Sequence, residues 1–366
     1  MSGIWPPDVG GPASHAPEVA AFLRERGHGV EVVTTAASAP APEAFPVHWI
    51  SRSLPKGLLH ARAALDIRAC AARADVVYTT GMFGRSFAGA TLARRPYVVK
   101  LTADPAFERA RRRGMVAGDA DAFQQDSHGS RIALLRLARD AELRRAAHVF
   151  CPSGYLRGLT VSWGVPADRV TVLPNPYPPL PELPPREELR ARFGMDGPTL
   201  AFAGRLGPQK SLDVALAAID AVDGVTFVVA GDGGERDRLE ALAGPRVRFL
   251  GPLPRERVLE LFRAADASLL SSSWENFPHA VVEALAVGTP VLATRVGGVA
   301  EVVRDGENGL LVEPGDADAL AAIVRRYFAD DALRGRLRSA ATESVRGYDR
   351  ETIFGRLERV LQETAR

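Results

Sequence analysis

The chain has 366 residues, 46% hydrophobic and 25% charged, with a net charge of +2; that length suits two domains with a core each, and that composition excludes disorder, collagen and coiled coil. No apolar run approaches the roughly 20 residues needed to cross a bilayer, and the opening residues lack the pattern of a signal peptide. The two cysteines, Cys70 and Cys151, make no C-x-x-C, which excludes a disulfide framework or Cys-rich metal site and points to a reducing cytoplasm.

In chain order, short Val/Ile/Leu runs alternate with longer Ala/Leu/Arg segments of helical period, the pattern of parallel sheets covered on both faces. Only Met1 to Trp5 precede the turn Pro6-Pro7-Asp8-Val9-Gly10-Gly11-Pro12. A central strand normally runs about five or six residues, so the expectation is a native start upstream. The strands expected next are 30–34, 47–50, 76–79, 97–101, 148–151 and 170–173, with helices over 15–26, 58–72 and 132–146. The stretch from Pro174 to Pro185 holds seven prolines and reads as the start of a stiff interdomain linker over 175–197. Strands are then expected at 199–203, 225–230, 247–250, 267–270, 291–293 and 309–312. Each half predicts a doubly wound α/β unit, residues 1–174 and 198–345, with a closing helix in 346–366.

The halves differ in charge. Lys and Arg number 22 against 15 Asp and Glu up to Pro174, and 24 against 29 after it. Arginines 109, 111, 112 and 113, and then 131, 136, 139, 144 and 145, make the first half basic. A solvated helix face accounts for them, as does attraction to an acidic membrane surface or an anionic acceptor. Nucleic acid is not expected, because no aromatic residues interleave to stack bases. Lysine occurs only at 56, 100 and 210.

The densest chemical signal runs from Ser271 to Pro290. A strand ending at Leu270 leads into a polar loop with Glu275, and Pro278 suits the first position of a helix that carries Glu283 on its second turn. Helix-start N–H groups at the carboxyl end of a parallel strand form a ligand-binding feature. Paired carboxylates suit sugar hydroxyls, although an isolated pair eight apart would be a loop residue and a solvated helix position. The pair is not isolated. Another strand enters Gly204-Arg205-Leu206-Gly207-Pro208-Gln209-Lys210-Ser211, where two cations ahead of a helix suit a diphosphate. Gly231-Asp232-Gly233-Gly234 and Gly297-Gly298, followed by Glu301, give two more small-residue turns where backbone can approach a ligand.

This set resembles the donor domain of retaining, nucleotide-sugar-dependent glycosyltransferases of family 4, with the two-Rossmann GT-B architecture and its interdomain cleft. The residues carrying the likeness are Gly204-Arg205-Leu206 with Lys210, Gly231-Asp232-Gly233, Phe249-Leu250-Gly251, Glu275 to Glu283 with Asn276-Phe277-Pro278, Gly288-Thr289-Pro290-Val291, and Gly297-Gly298 with Glu301. The resemblance implies Arg205 and Lys210 on the donor diphosphate and Glu283 on the ribose. It places Glu275 and the backbone of Asn276, Phe277 and Pro278 on the transferred sugar. It also places Gly231 and the Leu253 region near the base, Gly297 and Gly298 near phosphate or ribose, and Gly10 and Gly11 over the donor from the first domain. Relatives often carry a histidine at the end of a first-domain strand; residues 97–104 have none, and Thr102 or Asp104 stands there. His15 and Asp104 are therefore candidates for the acceptor or sugar side, with a strand-end cap the competing role for Asp104.

No metal is expected. Asp119-Ala120-Asp121 spells a D-x-D, as does Asp316-Ala317-Asp318 at a helix start, but Arg205 and Lys210 already supply counter-charge. His279 lies between the glutamates; His28, His48, His60, His128 and His148 have no supporting context. No G-x-S-x-G elbow or H-E-x-x-H is present. The implied activity is transfer of a hexose from a UDP- or GDP-sugar to the hydroxyl of a small molecule, glycan or lipid. No cofactor is required beyond the nucleotide-sugar co-substrate, and the expected location is cytoplasmic, with peripheral contact of the basic half with the inner membrane face the alternative to a solvated helix face. The alternatives are another enzyme on the same architecture, such as a sugar-nucleotide epimerase or phosphorylase, or a non-catalytic nucleotide-binding module. A nicotinamide enzyme is disfavoured because no G-x-G-x-x-G follows the first strand.

Overall fold

A computed structural model describes residues 1–8, 11–116, 120–125 and 129–366. The chain divides into two compact units, Met1–Leu173 with Phe354–Arg366, and Pro174–Ile353.

In the first unit β1 (Val32–Ala36) pairs in parallel with β2 (Val47–Ser51). A second parallel sheet runs in the order β3 (Val77–Thr79), β4 (Tyr97–Lys100), β5 (His148–Cys151) and β6 (Val170–Val172). The opening residues join the two sheets. Ser2 N donates to Val33 O at 3.2 Å, while Met1 N donates to Tyr78 O at 2.6 Å and Thr80 N donates to Met1 O at 3.0 Å. In the short segment Met1 to Trp5, where the first strand is expected, the pairing is a single parallel bridge, Ser2 to Thr34. Helix Arg350–Ala365 closes the chain. From Phe354 on it belongs to this unit: Phe354 meets Phe22 edge to face at 5.5 Å, Glu358 meets His28 at 2.7 Å, and Arg356 donates to Val172 O at 2.8 Å.

The second unit is one parallel sheet of β7 (Thr199–Ala203), β8 (Thr226–Ala230), β9 (Val247–Gly251), β10 (Ala267–Leu270), β11 (Val291–Thr294) and β12 (Gly309–Val312). Its spatial order is β12-β11-β10-β7-β8-β9. β7, β10 and β11 are buried at every position, as expected of strands covered by helices on both faces. The proline-rich stretch is not a linker as far as residue 197: the second unit starts at Pro174, and helix Arg186–Phe193 buries Leu189 and Phe193 in its core. Proline at the helix entry, Pro185, leaves the following helix intact because its missing N–H falls where no intrahelical bond is made.

Among the described residues, no helix is long and apolar enough to cross a membrane.

Candidate functional site

The strand order of the second unit reverses between β7 and β10, with β8 and β9 on one side and β11 and β12 on the other. Open α/β sheets bind ligands outside the carboxyl ends of the strands at such a switch point. The loops leaving β7 and β10 carry Arg205, Lys210 and Glu275, and they are tied to each other. Ser273 N donates to Gln209 O at 2.9 Å, Ser271 Oγ donates to Lys210 O at 3.0 Å, and Gln209 Nε2 donates to Trp274 O at 2.7 Å. The loop after β7 turns through the short 3-10 helix Pro208–Lys210, and helix Leu212–Asp220 starts after Ser211.

These ties bring Lys210 and Glu275 together. Lys210 Nζ donates to Glu275 Oε1, and the same oxygen accepts from Ser272 Oγ at 2.8 Å. Glu275 is 5% exposed, so its charge sits in a low-dielectric setting where an ionic partner matters. Arg205 is exposed, and among the described residues its side chain makes no hydrogen bond or ion pair. Lys210 is thus spent on a carboxylate, and Arg205, on the same loop, is open to an anion.

Two glycines let these loops close. Gly297 has φ +44°, and a Cβ there would collide with the Glu275 carbonyl oxygen and lie 2.8 Å from its carbon; Gly298 N donates to that oxygen at 3.2 Å. Gly231 has φ +142°, and a Cβ there would collide with the Gly204 carbonyl oxygen. A Cβ added at Gly204 would lie 3.9 Å from the Lys210 side chain. Four of the sequence-predicted segments therefore meet through backbone: 204–210, 231, 275 and 297–298.

Glu283, 9% exposed, lies on helix His279–Ala286. The helix begins one residue later than expected, with Pro278 as its buried cap. Glu283 Oε1 accepts from Arg255 Nε at 3.1 Å and Arg255 Nη2 at 3.0 Å. Arg255 escapes sequence reasoning: it opens helix Arg255–Ala264, 28 residues from its partner, and resembles any surface cation. Two residues earlier, the half-buried Leu253 packs against the second core. Asn276 is buried, Phe277 stacks on Tyr348 at 6.2 Å, and His279 Nε2 meets Asn175 Nδ2 at 3.1 Å.

The first-unit candidates fare differently. Asp104, 2% exposed, caps helix Pro105–Arg112 by accepting from Ala106 N at 2.8 Å. It also accepts from Gln124 Nε2 at 2.9 Å and Arg139 Nη1 at 2.8 Å, and Arg139 lies over the Trp163 ring. These are the bonds of an interior strut, so the sugar-side expectation for Asp104 gives way to the capping role. His15 Nε2 meets the Tyr78 hydroxyl at 3.0 Å. Gly11 opens helix Gly11–Glu25, whereas Gly10, Asp119 and His128 lie outside the described residues. Asp316 caps helix Ala317–Ala329 by accepting from Ala319 N at 2.8 Å. Glu31, His48 and Cys70 bring three potential metal donors within 4.8 Å, but Glu31 is ion-paired to Arg73 at 2.7 Å. A cavity of about 570 Å³ in this unit, lined by Trp5, Leu23, Phe45 and Leu361 among others, contains none of the predicted site residues.

Comparison with known proteins places this fold and site. Two parallel α/β units of this kind make the GT-B fold: the chain superposes on Anabaena HepE, solved in complex with UDP-glucose, with a TM-score of 0.78 at 22% identity, covering 99% of this chain and all of the other. Residues 185–344 match the family described as Glycosyl transferases group 1, and residues 10–176 match the Glycosyl transferase 4-like domain. The chain is 31% identical to a D-inositol 3-phosphate glycosyltransferase of Xylanimonas cellulosilytica, over 93% of this chain and 88% of that protein. It is 28% identical to a glycogen synthase of Mycobacterium tuberculosis, over 96% and 91%. With several other relatives the match spans about half of their own length. The chain belongs to this glycosyltransferase family and is an enzyme of that class.

Proposed function

We propose that the chain is a retaining hexosyltransferase that moves a sugar from a UDP- or GDP-sugar to an acceptor hydroxyl, and that the switch point between β7 and β10 is its donor site. The observation that carries this reading is the junction of Lys210, Glu275 and the open Arg205 on two interlocked loops at that point. Arg205 and Lys210 would neutralise the donor diphosphate and stabilise the charge that grows on it as it leaves. Glu275 and the amides of Asn276 to Pro278 would hold the hydroxyls of the transferred sugar, and Glu283 those of the ribose. The bond from the anomeric carbon to the diphosphate oxygen breaks while a bond to the acceptor oxygen forms on the same face. The departing phosphate oxygen takes the acceptor proton, so no separate general base is needed. Retention is what the family likeness implies.

Lys210 is ion-paired with Glu275, so a diphosphate would compete with that carboxylate. The 31% identical relative bears the name of an inositol-phosphate glycosyltransferase, which makes a polyol hydroxyl the first acceptor to try. The test is product formation from UDP- and GDP-hexoses with and without acceptor, in the presence of a chelator. The expected result is acceptor-dependent transfer that survives chelation, with kcat/KM lower by about 100-fold or more in Arg205→Ala and in Lys210→Ala. Full activity in both variants, or an epimerised sugar nucleotide without acceptor, would overturn the reading.

A further inference from the structure

We propose that Arg255 is a positioning residue of the donor site, holding Glu283 in the orientation that accepts the ribose hydroxyls and so setting the preference for a ribonucleotide. The inference rests on the donor-site reading above and adds a residue which that reading does not use.

Three observations carry it. Arg255 Nε and Nη2 both donate to one oxygen of Glu283, at 3.1 and 3.0 Å. Two donors of one planar guanidinium converging on a single oxygen hold that oxygen in place more closely than a single point-charge contact would. Glu283 is 9% exposed, so its charge depends on that partner far more than a surface carboxylate would. Finally, Arg255 is the first residue of helix Arg255–Ala264. A cation there opposes the helix dipole, and the ion pair with Glu283 offsets that cost.

The placement gives the pair a consequence for recognition. Helices Arg255–Ala264 and His279–Ala286 pack against each other, so the ion pair locks the segment entering one helix to the second turn of the other. The segment entering the first helix is the one that contains Leu253. A carboxylate accepting a ribose hydroxyl discriminates only if its oxygen stays at hydrogen-bond distance from that hydroxyl. Without Arg255 the Glu283 carboxylate loses two charge-assisted donors and the hydroxyl bond weakens.

The experiment is calorimetric binding of UDP against 2′-deoxy-UDP, and of GDP against 2′-deoxy-GDP, to the whole chain and to Arg255→Ala, Arg255→Lys and Glu283→Ala. The wild type is expected to favour the ribonucleotide by about tenfold, the size of one charged hydrogen bond. Arg255→Ala should bring the ratio close to one, Arg255→Lys should fall between, and adding Arg255→Ala to Glu283→Ala should change nothing further. If Glu283→Ala abolishes the preference while Arg255→Ala keeps it, Arg255 has no positioning role and the inference fails. If Glu283→Ala itself keeps the preference, the ribose assignment fails and takes the inference with it. Arg255 is 42% exposed on its side chain, so Arg255→Lys, which keeps a cation beside Glu283, should retain the wild-type melting temperature within a few degrees; a large loss in that variant would make the pair a structural strut and would also overturn the inference.

Discussion

Substituting Gly297 by alanine tests whether the loop carrying Glu275 is held by backbone contact rather than by its side chain alone. Gly297 has φ +44°, and a Cβ there would collide with the Glu275 carbonyl oxygen. The left-handed conformation costs an alanine about 1–2 kcal/mol, and forcing the two backbones apart adds about 1–3 kcal/mol. For a unit of this size, a total of roughly 2–5 kcal/mol lowers the melting temperature by roughly 4–20 °C. Gly224 is the matched control, with φ +72° and no atom within 4 Å of a Cβ; Gly224→Ala carries the strain alone and should lose only about 2–6 °C. Because the collision displaces the segment that holds Glu275, transfer activity should fall by about 100-fold in Gly297→Ala while Gly224→Ala stays near wild type. Thermal unfolding and initial rates on both variants decide the matter. Equal melting temperatures with activity intact in Gly297→Ala would refute the reasoning.

Glu275→Gln removes the charge that holds Lys210 and leaves that cation to a diphosphate; UDP or GDP alone should bind as well as or better than to the wild type while kcat falls, and calorimetry with parallel kinetics would detect the reverse pattern. Lys100, fully buried with its ammonium donating to Leu173 O, is pushed down by burial to about 7, with Arg356 nearby adding to the shift and Cys151 opposing it. Between about pH 7 and about pH 10 the unfolded chain therefore binds a proton that the folded chain does not, and stability should rise with pH at up to about 1.4 kcal/mol per unit. Denaturant unfolding at several pH values should show that slope in the wild type and not in Lys100→Met; equal slopes would count against it. Asp104→Ala leaves Arg139, 4% exposed on its side chain, with Asp140 at 2.9 Å as its remaining carboxylate partner and should cost about 1–3 kcal/mol with no change in donor affinity, which denaturation and nucleotide titration can separate.

The second sheet was legible almost residue by residue. β7, β10 and β12 fall on the expected bounds, because continuous apolar runs fenced by glycine, proline or polar residues leave few other registers for a fully buried strand. The first sheet was less so: β1 sits at 32–36 rather than 30–34. Buried Thr35 and Ala36 extend it at one end, while Val30 and Glu31 lie ahead of it. Nor did the prolines after Pro174 reveal helix Arg186–Phe193, whose stability comes from burying Leu189 and Phe193 rather than from its polar composition.

The site divides the same way. Glycine turns and the two glutamates stood out because each residue type at that place in a strand-loop-helix unit has a physical reason. What pairs with what did not stand out. Lys210 and Glu275 are 65 residues apart, and Glu283 and Arg255 are 28 apart. Only the order of β7 and β10 in the sheet makes the first pair neighbours, and strand order is a tertiary fact that no local pattern carries. Asp104 shows the converse: a conspicuous carboxylate at a strand end whose bonds all point into the interior.

The central claim is that a nucleoside diphosphate is gripped at the β7–β10 switch point by Arg205 and Lys210. Calorimetric titration of UDP and GDP into the wild type and Lys210→Ala addresses it most directly. The account predicts saturable binding of at least one nucleotide by the wild type, weakened about tenfold or more in the variant. Equal affinity in the two proteins, or no binding of either nucleotide by the wild type, would contradict it.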